Sequence, residues 1–263
     1  MNILVCVKRV PDTSENEIHI NSSGTDIDRD ELVFSINEPD NYAVEEAIQI
    51  ASKVGGEVTV VTVGDEEDEE VLRRQMAMGA KNGVLLSDEA FGGSDGRGIA
   101  TILKAFVQQG RYDLILTGVE ADAGGAQVGG MLAALLDYPF ASLINGIEVL
   151  ESRRLKISRE VEGGNREIGE ITLPCVLSIQ TGINEPRYVG MRGIRQVASI
   201  PIPTYNAEQL GIATGNVGDV AAKVKRTDYF IPVAASSARM LRGTSEEMAE
   251  EVLELVKAKG GLK

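Results

Sequence analysis

The feature that most constrains this chain is an alternation that runs through its first half. Short, unbroken apolar runs take turns with longer segments of helical period. "NILVCVKRV" (2–10), "EVTVVTVG" (57–64), "NGVLLSD" (82–88) and "YDLILTG" (112–118) read as strands with apolar residues on both faces. That is the pattern of strands buried inside a parallel sheet. Between them lie "NEPDNYAVEEAIQIASKVGG" (37–56), "EDEEVLRRQMAMGA" (67–80) and "GRGIATILKAFVQQG" (96–110), with "AQVGGMLAALLD" (126–137) following the last strand. Ala43, Ala47, Ile50 and Ala51 recur at helical spacing, and a glycine pair stops the first of these helices. Parallel strands need long crossovers, so the pattern predicts βαβ units: an α/β fold, mainly parallel, with helices on both faces of the sheet.

The period then changes. "FASLINGIEVLE" (140–151), "RRLKISREVEGGNREIGEI" (153–171) and "LPCVLSIQTG" (173–182) alternate with period two, and Gly163-Gly164 marks a hairpin turn. A small hairpin is also expected around "NSSGTD" (21–26), and a short helix in "VGMRGIRQVAS" (189–199). From Ile200 to about Leu241 there is little periodicity, which reads as an arm lying on another surface. The chain closes on "TSEEMAEEVLELVKAKGG", where Thr244 and Glu247 match a capping box and Met248, Val252, Leu255 and Val256 form an apolar face.

Composition excludes several classes of function. A net charge of −14 lacks the electropositive footprint of a nucleic-acid binder. The single histidine, His19, lies in the polar segment "SENEIHINSSG", and Cys6 and Cys175 lie in apolar strand-like runs, so neither a zinc site nor a Cys-His nucleophile is expected. The chain opens directly on a strand, which predicts no leader peptide. No apolar run approaches the roughly 20 residues of a membrane span, so no membrane insertion and a cytoplasmic location are expected.

The best ligand-site candidate is "LTGVEADAGGAQVGGMLAALL" (116–136), where a strand runs through a loop of small residues straight into a helix. Gly124, Gly125, Gly129 and Gly130 would let a phosphate approach the backbone, and a helix start favours an anion. The same small residues would also let the helix pack closely on the sheet. Two other strand ends, "CVKRVPD" and "TVGDEE", point to the same edge, where open α/β sheets bind ligands. Asn37 and Asp40 open the first helix, and capping is the expected role for Asp40 or Asn41. "FGGSDGRG" (91–98) is a weaker phosphate candidate, and "GDEEDEE" (64–70) reads as a solvated helix start.

In this order these stretches resemble the beta subunit of electron-transferring flavoprotein over nearly the whole chain. The resemblance is carried by "ILVCVKRVPD", "NEPDNYAVEEA", "QMAMGAKNGVLL", "LTGVEADAGGAQVGGMLAALL", "SREVEGG" and "LPCVLSIQTGINEPRY". The last is the most specific, and the spacing of Asp122, Gln127 and Gly129 adds to it. The resemblance implies a Rossmann-like fold of the adenine nucleotide alpha hydrolase type. Residues 1–200 would form a nucleotide-binding domain, and 201–263 an arm and helix docked on an alpha subunit. It also implies an electron carrier, not an enzyme in its own right. The alpha subunit would hold a redox-active FAD, and the heterodimer would pass electrons from acyl-CoA or related dehydrogenases to a quinone oxidoreductase or other acceptor.

A structural AMP is implied in this subunit. Its site would use Cys6, Asn37, Glu38, Pro39, Asp40, Val63, Asp122, Ala123, Gly124, Gly125, Ala126, Gln127, Val128 and Gly129. The implied dehydrogenase-docking loop comprises Asn184, Glu185, Pro186, Arg187 and Tyr188, followed by Met191 as an apolar anchor. Pro186 stiffens the loop, and Asn184 to Pro186 also read as turn-shaping residues. The nucleotide loop departs from the common form, being one residue shorter. "AQVG", "VPDT" and "FGGSDGRGIAT" resemble the electron-bifurcating branch, whose beta subunit holds a second FAD and meets NADH, whereas "NEPR" resembles the ordinary branch. Sheet and phosphate loop alone would also permit a nucleotide-sensing module.

Overall fold

The computed structural model describes residues 1–121, 125–232, 238 and 240–261. Among them nine strands form one sheet in the order β11-β5-β4-β1-β6-β10-β7-β8-β9. These are β1 (Asn2–Cys6), β4 (Glu57–Val63), β5 (Asn82–Leu86), β6 (Leu114–Gly118), β7 (Phe140–Val149), β8 (Arg154–Val161), β9 (Asn165–Thr172), β10 (Cys175–Ile179) and β11 (Thr204–Tyr205). Two short strands, β2 (Arg9–Pro11) and β3 (Phe34–Ile36), pair antiparallel as a separate ribbon. All pairings from β11 to β7 are parallel, and only β7–β8 and β8–β9 are antiparallel. The mainly parallel α/β sheet expected from the alternation is therefore present, with the Gly163-Gly164 turn joining β8 to β9. An Ile20–Ile27 bridge closes the small hairpin.

Strand residues face two cores, as the double-sided apolar runs require. Ile3, Val5 and Val7 pack with Ala43, Val44 and Ala47 of helix α1 (Glu38–Val54) and with Leu72 and Met76 of α2 (Glu69–Met78). On the other face Leu4 and Val61 pack with Ile102, Leu103 and Phe106 of α3 (Gly96–Val107) and Leu132 of α4 (Val128–Leu136). Helix α1 is delimited as its sequence suggests, with Pro39 in its first turn and Gly55 at φ 77° after its last.

The low-periodicity stretch is only partly free of the sheet. β11 adds in parallel to β5, and Ala207, Leu210 and Val217 are buried in the α3 side of the core. Three polar side chains stitch it down. Asp88 accepts from Ala207 N–H at 3.0 Å, Ser94 Oγ from Gly218 N–H at 2.8 Å, and Asp95 from Lys223 N–H at 2.7 Å. Asp95 also caps α3, accepting from Gly98 N–H at 2.9 Å. This weighs against the weaker phosphate candidate: the Ser94 and Asp95 side chains of "FGGSDGRG" are engaged by the chain itself, and a carboxylate already sits at the α3 start. Beyond the four-residue helix α6 (Gly218–Ala221), Val224, Phe230, Ile231 and Met240 are exposed, and the capped helix α7 (Ser245–Ala258) has no buried residue.

Central and edge strands should respond very differently to truncation. Leu116→Ala in β6, where the side chain is fully buried, should cost about 2–5 kcal/mol. Ile168→Ala in β9, 63% exposed, should stay within about 0.5 kcal/mol of wild type. Urea denaturation of the two variants compares them directly.

Candidate functional site

The strand order reverses direction between β1 and β6. From β1 the chain steps outward through β4 and β5, then returns to place β6 on the other side of β1. Open α/β sheets bind ligands at the carboxyl ends of strands flanking such a switch point. The group that holds this point together is Asp40. One oxygen of its buried carboxylate accepts from Lys8 N–H, just past β1, and the other from Gly118 N–H, the last residue of β6, both at 2.9 Å. Gly118 has no room for a side chain, since a Cβ there would lie 2.2 Å from Asp40 Oδ1.

The expectation that Asp40 caps α1 is thus overturned. No side chain caps α1, and Asp40 lies inside the helix with its carboxylate turned to the sheet. Burial pushes this carboxyl up to about 7, against the hydrogen bonds from Asn37, Lys8 and Gly118 that pull it down. Asn37 continues the same stitching, donating its amide to Glu120 C=O at 2.8 Å while its own N–H bonds Lys8 C=O at 2.8 Å.

A cleft of about 920 Å³ opens beside this junction, bordered by Asn37, Pro39, Glu120, Ala126, Phe140 and Gln180. Glu38 also faces it. Cys6, Val63 and Val128 do not line this cleft; they are half-buried against the α3–α4 core. The candidate residues therefore divide into a cleft group, a core-facing group and Asp40 between them. Gly125, Ala126 and Gln127 are exposed ahead of α4, and Asp122, Ala123 and Gly124 lie outside the described residues. The first-turn N–H groups of α4 have no acceptor within the helix. Gly129 is buried, and a Cβ on it would stand 2.6 Å from Ser178 Oγ and 2.9 Å from Thr117 Oγ1. Those two buried hydroxyls hydrogen-bond each other at 3.0 Å. The missing side chain is therefore needed to seat α4 on the ends of β6 and β10.

Neither cysteine is poised for chemistry. Burial pushes the Cys175 thiol up to about 12, and burial with the Asp40 charge nearby pushes Cys6 upward as well. No cluster of potential metal ligands occurs among the described residues, and no described helix is long and apolar enough to cross a membrane.

The 184–191 stretch lies against α1. Asn184 donates to Tyr42 C=O at 3.1 Å and to Glu46 at 3.0 Å, and Arg187 forks onto Glu45 with bonds of 2.8 and 2.9 Å. Burial acts to raise Glu45, but the bonds from Arg187 and Gln49 outweigh it and hold the carboxyl below its usual value. Glu185 and Arg187 are at the surface, Pro186 is half-buried, and Tyr188 and Met191 are 92% and 66% exposed. Glu45 and Glu46 were missed from the sequence because adjacent acids in a helix read as a solvated face. The signal available was that they fall between apolar residues on both sides, Val44 and Ala47.

Comparison with known proteins gives the family. The family model for the electron transfer flavoprotein domain matches residues 25–210. The electron transfer flavoprotein subunit beta of Methylophilus methylotrophus is 34% identical over 260 residues, covering 97% of this chain and 98% of that protein. The subunit of the same name from Bacillus subtilis (strain 168) is 35% identical, covering 98% of each. The caffeyl-CoA reductase-Etf complex subunit CarD of Acetobacterium woodii is 35% identical, covering 98% of this chain and 99% of that protein. The chain belongs to the electron transfer flavoprotein beta-subunit family.

Two outcomes are expected at the junction. Gly129→Ala should cost about 1–3 kcal/mol by overpacking, with or without added nucleotide; a loss that vanishes without nucleotide would contradict the packing role. Asp40 titrates near 3.8 when unfolded and near about 7 when folded. A raised folded pKa contributes stability that is full below about 4 and is lost as pH rises toward 7. Asp40→Asn cannot titrate, so wild-type minus variant stability should fall across that window in denaturation at pH 4.5 and 7.5.

Proposed function

We propose that this chain is the beta subunit of a heterodimeric electron carrier. Its alpha subunit would hold the redox-active FAD, and the pair would carry electrons from an acyl-CoA or related dehydrogenase to a quinone oxidoreductase or other acceptor. Family membership over nearly the whole chain supports the electron-transfer role. The observation that carries the docking part is the 184–191 stretch, tied to α1 by Asn184 and Arg187 yet presenting Tyr188 and Met191 outward. An exposed aromatic and an unbranched, adaptable side chain on a held backbone suit recognition of a protein surface. The exposed apolar residues of the arm and of α7, notably Val252, Leu255 and Val256, suit a surface covered by the alpha subunit.

A structural AMP is proposed at the strand-end edge. Support comes from the first-turn N–H groups of α4, which have no acceptor within the helix, the exposed small residues Gly125 and Ala126, and the cleft at Asn37 and Pro39. Asn37 and Asp40 would act there indirectly, by holding the loop after β6. The flavin supplies the redox chemistry when bound, and this chain supplies position and partner contact.

A second reading is favoured by the relative named as part of a caffeyl-CoA reductase-Etf complex. On it, this subunit would hold a second FAD in place of AMP and oxidise NADH in a bifurcating complex. Denaturing the purified heterodimer and quantifying the released nucleotides separates the two. One FAD and one AMP per heterodimer is expected. Two FAD without AMP would establish the second reading, and one FAD alone would remove the nucleotide site. Met191→Ala should cost about 2 kcal/mol or more in apparent affinity for the dehydrogenase, read from the dependence of turnover on its concentration.

A further inference from the structure

The segment 184–200 is held at both ends by charged groups from two different helices. At its start, Arg187 makes the bidentate pair with Glu45, whose side chain is only 5% exposed, and the Arg187 N–H adds a third bond to the same carboxylate at 3.2 Å. Asn184 adds its two bonds to Tyr42 and Glu46. At its end lies the seven-residue helix α5 (Met191–Val197), whose last carbonyls have no partner inside the helix. Arg73 of α2 holds the chain where it leaves α5: Nη1 donates to the carbonyl of Val197, the last residue of the helix, and to those of Ala198 and Ile200 just beyond, at 3.0, 3.0 and 3.1 Å, while Nη2 pairs with Glu69. Between the two attachments, Tyr188, Met191, Arg192 and Arg195 are exposed.

We propose that Glu45 and Arg73 are positioning residues for dehydrogenase docking. They hold 184–200 in its docking shape before a partner arrives. The inference rests on the reading of 184–191 as the docking loop. A turn that merely connects β10 to β11 needs no forked ion pair on a buried carboxylate, because removing a carboxylate from water is costly unless it is fully paired. What the two attachments secure is the conformation of the exposed residues between them. A loop ordered in advance does not have to be ordered on docking, and that lowers the cost of association. Apparent affinity falls in proportion to the fraction of molecules in the competent shape, so a loop released to about one-tenth occupancy would weaken docking about tenfold.

The test uses the intact heterodimer, with an acyl-CoA dehydrogenase reduced by its substrate as electron donor. Glu45→Gln and Arg73→Gln should each raise the KM for the dehydrogenase about tenfold, with kcat and FAD content retained. Amide exchange across 187–198 in the free heterodimer should quicken. Glu45→Gln/Arg187→Gln should be no worse than the worse single variant, since both remove one pair. Arg73→Lys, which keeps a cation at the α5 carbonyls, should recover most of the loss. Glu57→Gln, which breaks the exposed pair with Lys81 at the far end of β4, serves as the control.

An unchanged KM in either single variant drops that attachment from the proposal, provided Met191→Ala raises it. An unchanged KM in Met191→Ala overturns the docking reading and the proposal together. A raised KM without faster exchange would make these residues direct partner contacts, and loss of kcat, FAD or assembly would make them structural. Both results overturn positioning.

Discussion

One buried carboxylate holds the ends of the two central strands in place. β1 and β6 are neighbours in space but lie over a hundred residues apart in sequence, and at their carboxyl ends the chain must leave the sheet in opposite directions. Backbone N–H groups there lose their ladder partners just where the core is still dry. Asp40 gives both of them an acceptor. Because it projects from the first turn of α1, it also sets where that helix sits. Burying an acid this deeply is unfavourable, and the raised pKa records it. Two backbone hydrogen bonds and the Asn37 amide are what offset that cost.

Helix α1 thereby joins two regions. Its first turn holds the strand ends and, through Asn37, the loop after β6. One to two turns later Tyr42, Glu45 and Glu46 hold the chain as it leaves β10. Both loops are shaped by the same rigid element, while its apolar face, Ala43, Val44 and Ala47, is locked against β1. A helix so fixed cannot shift to serve one loop without disturbing the other. The edge of the sheet proposed to hold a nucleotide and the loop proposed to meet a dehydrogenase therefore share a common support.

Much of this was legible in the sequence, for a physical reason. Strands buried on both faces must be apolar at nearly every position, and "ILVC", "VTVVTV" and "LILT" are, with only Thr59, Thr62 and Thr117 as small polar interruptions. Helical period and the glycine pair beginning at Gly55 marked where α1 ends. What escaped was tertiary. Asp40 read as a cap because that is the commonest task of an aspartate near a helix start, whereas its partner Gly118 lies 78 residues away. Glu45 and Glu46 went unremarked because their partners are 142 and 138 residues distant. β11 has two residues, too few to show a period. Gly129 was legible as a close approach but not as to what approaches; the structure answers with the hydroxyls of Ser178 and Thr117.

The charge distribution adds a last step. A chain with a net charge of −14 repels acidic surfaces at long range. On the loop between β10 and β11 the balance inverts locally: Arg187, Arg192 and Arg195 surround Tyr188 and Met191, with Glu185 the one acid among them. Arg187 is neutralised by Glu45, so Arg192 and Arg195 against Glu185 leave the loop with a net charge of one positive unit. Such a patch favours a partner with an apolar recess and an acidic rim, and it does so in orientation more than in affinity, because rim charges act mainly on encounter. On the docking reading proposed above, this local charge would bear on how a partner protein is turned as it approaches.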